Sequence, residues 1–306
     1  MKIVFAGTTA QAAEVLKHLH KTHHSVVAVL TREDAPVGRK AIVTPSAVAQ
    51  VAQELGIPII KANRITDSVV SRLDEYQPDL GVVIAYGSLL KAPALAVPRH
   101  GWINLHFSLL PNWRGAAPVQ HSLLAGDPIT GVSIFRLDEG MDTGPLLASV
   151  PTEVQPDENA GELLNRLTQI GITALDESLA RIDAGIAVFE PQSGDGTLAG
   201  KLQRGDAKID WSLNAESINN LVRAMNPEPI AWTTIGESTM RVLSSRPSRQ
   251  TSPLLCGTVF MDSNQVYVTC GSNSVLQLLQ VQPAGKNSMP AADWLRGQSV
   301  SVVLGG

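Results

Sequence analysis

The chain has 306 residues, 44% of them apolar and 17% charged, with a formal net charge of −4; ordinary apolar content with so little net charge excludes disorder as its main state. No apolar run approaches the ~20 residues a bilayer requires, so no membrane partner is expected, and Met1–Thr9 reads directly as a strand without the layout of a secretory signal. Two cysteines, Cys256 and Cys270, make no disulfide framework, so a reducing cytoplasm is the expected compartment.

Along the chain, strand and helix signals alternate. Lys2–Ala6 is a short apolar strand ended by Gly7, and Ala12–Leu19 has helical spacing. Ser25–Leu30 is a second buried strand. Pro45–Leu55 reads as a helix, with Thr44 as its cap and Pro45 at its first position. Ile57–Ile60 is short and apolar, Thr66–Tyr76 is helical, and Asp79–Ala85 is a continuous buried strand. Trp102–Phe107 is a strand, Gly115–Ala125 a helix, Gly131–Leu137 a strand and Asn159–Ala184 one long helix. Uniformly apolar strands separated by helices predict an α/β unit, a parallel sheet covered on both faces.

After Ala184 the composition shifts. Pro191–Thr197 is rich in turn residues and reads as a linker. Asp210–Met225 looks like a capped helix. Short strands follow at Trp232–Ile235, Thr239–Leu243, Gly257–Met261, Gln265–Thr269 and Ser274–Gln280, which suits a small β-barrel or sandwich. Domain boundaries are therefore expected at 1–188, 189–205 and 206–306. Charge divides along the same line: residues 1–199 carry 15 Lys and Arg against 21 Asp and Glu, and residues 200–306 carry 9 against 7. A nucleic-acid partner would have to be held by a local patch.

Gly7 is not followed by the second and third glycines of a dinucleotide fingerprint, so no such cofactor is expected. The informative stretch begins at Ile103. Asn104 and His106 share one face of a strand, while Ile103, Leu105 and Phe107 take the other. A buried parallel strand is normally apolar on both faces, and the crevice at its carboxyl end is where such sheets place ligands. Downstream, Leu137–Gly144 is a Gly-bounded acidic loop. Asp138, Glu139 and Asp142 are all candidates, by position, to orient the imidazole.

At these residues the chain resembles the methionyl-tRNA formyltransferases, within the folate-dependent formyltransferases. The resemblance rests on Asn104–Pro111, Trp113–Gln120, Thr130–Ile134 and Met141–Gly144. Ile209–Ser212, Arg223–Pro229 and Gln282–Lys286 carry it through the rest of the chain. It implies a Rossmann-like catalytic domain, a linker and a barrel of the oligonucleotide-binding type. It implies Asn104, His106 and Asp142 as catalytic residues, which chooses Asp142 among the three carboxylates. It also implies Ser108, Leu109, Leu110 and Pro111 as the folate-contacting segment. The implied reaction moves a formyl group from 10-formyltetrahydrofolate to the amine of initiator methionyl-tRNA, with no metal. Acceptors such as a nucleotide-linked amino sugar or a purine precursor are the alternative. The sequence departs from the family at Thr9, Ala10 and Gln11, at Ala35 and at Phe107.

The chemistry suits these residue types. A neutral amine must attack, so a basic group has to take its proton, and negative charge grows on the formyl oxygen, where fixed donors are needed. For the tRNA, Arg39 and Lys40 in the loop Thr31–Pro45 and the C-terminal barrel are the expected contacts. The enzyme is expected to act as a monomer. His18, His20, His23 and His24 are read as surface residues and not as a metal tract.

Overall fold

The apolar run at the start of the chain becomes the middle of a sheet. In the computed structural model, which describes residues 1–38, 40–298 and 301–305, the first elements are β1 (Lys2–Gly7), α1 (Ala10–Leu19) and β2 (Ser25–Thr31). A hairpin of β3 (Ala35–Val37) and β4 (Ile42–Thr44) precedes α2 (Ala47–Glu54). Next come β5 (Ile59–Lys61), α3 (Asp67–Asp74), β6 (Leu80–Ile84), α4 (Ala92–Leu95) and β7 (Trp102–His106). The series ends with β8 (Arg114–Gly115), α5 (Pro118–Ala125), β9 (Ile129–Arg136), β10 (Leu146–Glu153), α6 (Ala160–Asp183) and β11 (Leu198–Ala199).

The main sheet has the order β10-β9-β7-β6-β1-β2-β5. β1 pairs in parallel with β2 and β6, as do β2 with β5 and β6 with β7, whereas β9 runs antiparallel to β7. Helices cover both faces. On one, Val4, Ala6, Val83 and Trp102 cluster with Val69 and Leu73 of α3 and Ala94 of α4. On the other, Leu105 lies so close to α6 that a Cβ at Gly171 would sit 2.7 Å from its Cδ2. This is the covered, mostly parallel sheet that the alternating pattern predicts and the Rossmann-like domain that the resemblance implies.

A second sheet follows α7 (Ala215–Ala224). Its strands are β12 (Trp232–Ile235), β13 (Ser238–Thr251), β14 (Val259–Asp262), β15 (Gln265–Thr269), β16 (Ser274–Pro283) and β17 (Met289–Pro290), with α8 (Ala291–Arg296) after them. The order is β12-β13-β16-β15-β14, with β17 on β16, and every pairing is antiparallel. The last residues bridge its two edges. Val259 N donates to Val302 O (3.0 Å), Leu304 N to Gly257 O (2.8 Å) and Gly305 N to Thr234 O (3.0 Å), which makes a small barrel of the sheet. Its core includes Trp211, Ile218, Val222, Met240, Leu276 and Trp294.

The chain divides into two compact units. The first comprises Met1–Pro118, Thr130–Thr152 and Leu164–Ala199, and the second Val119–Ile129, Glu153–Leu163 and Gly200–Gly306. The turn-rich stretch before Gly200 thus folds with the first unit, where Leu198 and Ala199 pair in parallel with Arg114 and Gly115. No helix of the described residues is long and apolar enough to cross a membrane.

Some local readings change for identifiable reasons. The cap of α2 is Ser46, whose Oγ accepts from Ala49 N (3.0 Å), because Thr44 is drawn into β4. The Asp210–Met225 signal splits. Asp210 Oδ1 accepts from Ser212 N (2.9 Å) and Oγ (2.6 Å) and closes a turn, so the helix starts only after Asn214, which caps Ser217 N at 2.8 Å. The altered first loop has its own logic, since Thr9 caps α1 by accepting from Ala12 N.

Candidate active site

Asn104 and His106 lie on the face of β7 opposite Ile103 and Leu105, as the two-residue period of a strand requires. His106 is held on both sides of its ring. Its Nε2 lies 2.9 Å from the Trp113 carbonyl oxygen. A carbonyl only accepts, so Nε2 carries the proton of the neutral ring and Nδ1 the lone pair. That lone pair faces Asp142 Oδ2 at 3.7 Å, beyond hydrogen-bond length.

The ring is only 6% exposed. Burial pushes its pKa below the ordinary histidine value, and the Asp142 carboxylate and the Trp113 carbonyl oppose that without overcoming it. His106 therefore rests neutral near pH 7. Its one free nitrogen points at a carboxylate that stabilises the ring once it takes a proton.

Asn104 is half-buried, and its Oδ1 is fully buried with no hydrogen-bond partner among the described residues. An amide oxygen taken from water without a partner costs free energy, so this acceptor is incomplete until a donor arrives.

Among the three acidic candidates the fold discriminates. Asp138 Oδ1 is used inside the loop, accepting from Gly140 N (3.0 Å) and Thr143 Oγ1 (2.7 Å), and Glu139 is exposed. Asp142 turns inward with a left-handed φ of 54°, and its Oδ2 accepts from Gly115 N at 2.8 Å. Trp113 and Gly115 thus hold the histidine and the aspartate from one short segment.

The segment Ser108–Pro111 follows β7 directly. The Ser108 hydroxyl donates to Asn112 O (2.6 Å), while Ser133 Oγ donates to Ser108 O (2.7 Å) and accepts from Leu110 N (3.1 Å). Ser108 and Leu110 are buried, and Leu109 and Pro111 are half-buried. Ser133, a polar residue between Val132 and Ile134 in the buried part of β9, therefore shapes this segment, and only its polarity within β9 could have signalled it.

Of the two basic loop residues, Arg39 lies outside the described residues. Lys40 is exposed between β3 and β4, beside Ile42 (62% exposed) and Val43 (65%). In the histidine tract, His18 Nε2 sits 2.8 Å from Asp176, and His24 is buried instead of exposed. His23, His24 and Asp183 bring their ligand atoms within 4.8 Å of one another. None of them belongs to the set around His106. One residue near that set went unread in the sequence. Gln192, after α6, donates to the backbone carbonyls of Asp142 and Gly144.

A doubly wound sheet with a polar pair near the carboxyl end of a central strand and an appended barrel defines a class of group-transfer enzyme, and the chain belongs to the formyl transferase family. The family model of the formyl transferase domain matches residues 1–179, and that of the formyl transferase C-terminal domain residues 201–299. Within the family the similarity is to methionyl-tRNA formyltransferases. The protein of that name from Arthrobacter sp. (strain FB24) is 48% identical over 298 residues, 97% of this chain and 97% of that one. That from Clavibacter sepedonicus is 43% identical over 304 residues, 99% of each. Among solved structures, the sugar 3N-formyl transferase WlaRD, crystallised in the presence of dTDP and 5-N-formyl-THF, superposes with a TM-score of 0.67. It covers 94% of this chain and 99% of that one at 18% identity, a likeness of fold.

Proposed function

We propose that this enzyme transfers the formyl group of 10-formyltetrahydrofolate to the amino group of initiator methionyl-tRNA, with Asn104, His106 and Asp142 as its catalytic residues. Similarity over nearly the whole chain to methionyl-tRNA formyltransferases supports the reaction, and WlaRD was crystallised with a formylated folate. The observation that carries the residue assignment is the pairing of an unpartnered Asn104 Oδ1 with a neutral His106 whose free nitrogen faces Asp142.

The folate supplies an activated formyl group. Asn104 places one amide with an acceptor for the incoming amine and a donor for the formyl oxygen as negative charge grows there. His106 takes the amine proton at Nδ1, because Nε2 is committed to Trp113. Asp142 stabilises the imidazolium formed, and the pair then delivers the proton to the departing folate nitrogen. Ser108, Leu109, Leu110 and Pro111 form the folate-contacting segment, in which the Ser108 hydroxyl and the Leu110 amide are bonded within the protein and hold its shape, while Leu109 and Pro111 are half-buried.

The tRNA is held by Arg39 and Lys40 and by the barrel domain, which is taken to run from residue 206, the stretch 189–205 joining it to the catalytic domain while its part up to Ala199 packs with that domain. Exposed Lys208, Arg241, Arg249 and Lys286 supply positive charge there. The enzyme works as a cytoplasmic monomer. The test offers 10-formyltetrahydrofolate with, in turn, methionyl-tRNA, an amino-sugar nucleotide and glycinamide ribonucleotide. Folate release with methionyl-tRNA alone is expected; turnover with a small amine and none with methionyl-tRNA would refute the reading.

A further inference from the structure

We propose that Gln192 is a positioning residue of the active site, a clamp that holds the Asp142 carboxylate against His106; the proposal rests on the catalytic reading above. The need for a clamp follows from the sheet. β9 is antiparallel to β7, and its last residue, Arg136, pairs with Ile103 near the start of β7. The loop leaving β9 must therefore travel back about 10 Å along β7 before it reaches His106. At the end of that path Asp142 takes a left-handed conformation, φ 54°, which an L residue disfavours.

Inside the loop, Asp138 Oδ1 holds Gly140 N and Thr143 Oγ1, contacts that leave the Asp142 and Gly144 backbone carbonyls to another partner. Those carbonyls are gripped from outside the loop. Gln192 Nε2 donates one hydrogen to Asp142 O and the other to Gly144 O, both at 2.8 Å. Its Oε1 accepts from Arg114 Nε (3.1 Å) and Nη2 (2.6 Å). Both amide hydrogens and both oxygen lone pairs are thus used. The orientation is forced, because a flipped amide would set its oxygen against two carbonyls and its nitrogen against guanidinium donors.

The other end of the clamp returns to the site. Arg114 belongs to β8, and the neighbouring Gly115 N–H is the donor on Asp142 Oδ2. β8 is itself pinned by the strand just after Gln192, through Arg114 N to Thr197 O (2.9 Å) and the pairing with Leu198 and Ala199. A single stretch, 192–199, therefore sets both the backbone of Asp142 and the amide that binds its carboxylate. The choice of glutamine has a chemical reason. Glutamate would offer no donors to the two carbonyls, and lysine would offer Arg114 no acceptor. Because the amide is neutral, Arg114 orients the clamp while the Asp142 charge stays directed at His106.

The experiment measures steady-state formylation of methionyl-tRNA by the full chain and by Gln192→Ala, Gln192→Glu, Asp142→Asn and the Gln192→Ala/Asp142→Asn double variant. Both Gln192 variants are expected to lose about 10²-fold in kcat, the scale of a misplaced reacting group, with KM for 10-formyltetrahydrofolate unchanged. The acid limb of their kcat–pH profile is expected to move to lower pH, because a carboxylate that drifts away no longer favours protonated His106. In the Asp142→Asn background the Gln192→Ala loss should shrink to less than about threefold, since the clamp acts through that carboxylate. Gln192→Glu keeps the shape of the side chain and its bond to Arg114, so it answers the question even where Gln192→Ala fails to fold. Near-normal kcat in the Gln192 variants, or a full 10²-fold loss added on top of Asp142→Asn, overturns the clamp alone. Normal turnover by Asp142→Asn overturns the catalytic reading, and the clamp with it.

Discussion

Two loops of the first unit carry groups that the proposed reaction would use, and they are built in opposite ways. The loop 138–144 is tied at five points: to itself twice through Asp138, to Gly115 through Asp142, and to Gln192 through two carbonyls. The β3–β4 hairpin is anchored at its base, where Lys61 meets Asp34 at 2.7 Å and Thr31 Oγ1 meets Ser46 Oγ at 2.6 Å. Beyond the base, Lys40, Ile42 and Val43 stand in solvent. The difference matches the tasks proposed for them. A carboxylate that steers one proton must be held to a fraction of an ångström, while contact with a charged backbone rewards reach.

The comparison predicts where substitutions hurt most. Replacing Asn104, His106 or Asp142 by Ala should lower the chemical step about 10²–10⁴-fold, the range for lost general acid–base or oxyanion groups. Combined losses should fall far short of multiplying, because the three act on one event. Single-turnover rates with bound folate measure this, and a near-normal rate for His106→Ala would remove it from the assignment. The pH dependence has a definite sign. Burial lowers the His106 pKa, so activity through the neutral ring persists below pH 6.5 and fails only on further acidification. Asp142 opposes that burial effect, so among residual rates the acid limb of Asp142→Asn should lie at lower pH still.

Next in size is a change that touches no reacting group. Gly144 is buried, and a Cβ there would run into the Arg136 carbonyl oxygen. Gly144→Ala must displace the end of the tied loop and carry Asp142 with it. A kcat loss approaching 10²-fold with unchanged far-ultraviolet circular dichroism is expected, because a shift of about 1 Å is enough. Unaltered kcat would mean that the loop tolerates displacement and that its bonds serve only stability.

How much of this was legible in the sequence depends on how local each signal is. The α/β class and the polar pair Asn104–His106 were readable, because two polar residues at strand period interrupt a buried strand. Asp142 was not separable from Asp138 and Glu139 by position, since the choice depends on how far the loop returns along β7, and only the resemblance picked it out. Gln192 was invisible. Its bond to Asp142 spans 50 residues, and among Pro, Ser and Gly it reads as part of a turn. β10 was passed over because Leu147 alone of it is buried and Pro151 interrupts its pattern, and α8 because six residues carry too little periodicity. The hairpin escaped for the same reason: three-residue strands leave almost no pattern.

The exposed loop predicts a smaller effect of a different kind. Arg39→Ala should lower kcat/KM for methionyl-tRNA at least about tenfold and Lys40→Ala by less, with folate binding and thermal midpoint unchanged. The loss should shrink as salt rises, since screening weakens the contact that the substitution removes. A salt-independent loss, or a matching loss of folate affinity, would place these residues in the fold of the site and not on its nucleic-acid side.

The smallest predicted effect tests how independent the hairpin is. Gly38 has φ 71° with nothing among the described residues within 4 Å of where a Cβ would stand, so Gly38→Ala is expected to bear mainly the backbone penalty, about 1 kcal/mol. Ala41, on the same turn, already has φ 47°, and its N–H donates to Gly38 O at 3.1 Å. The turn thus carries one strained residue, and the substitution adds a second. Two three-residue strands on which Ala35, Pro36, Ile42 and Val43 are exposed make few contacts that could resist this, so the hairpin should open by itself before the sheet below it melts. The global urea midpoint of Gly38→Ala should therefore stay within error, while amide exchange at Val37 and Ile42 should quicken about fivefold, the factor that ~1 kcal/mol implies. Gly144→Ala should show the reverse pattern, with slowed catalysis and no change of exchange in the hairpin. A global midpoint that falls with Gly38→Ala would show that the outer loop is welded to the core after all, and the contrast between the two loops would fail.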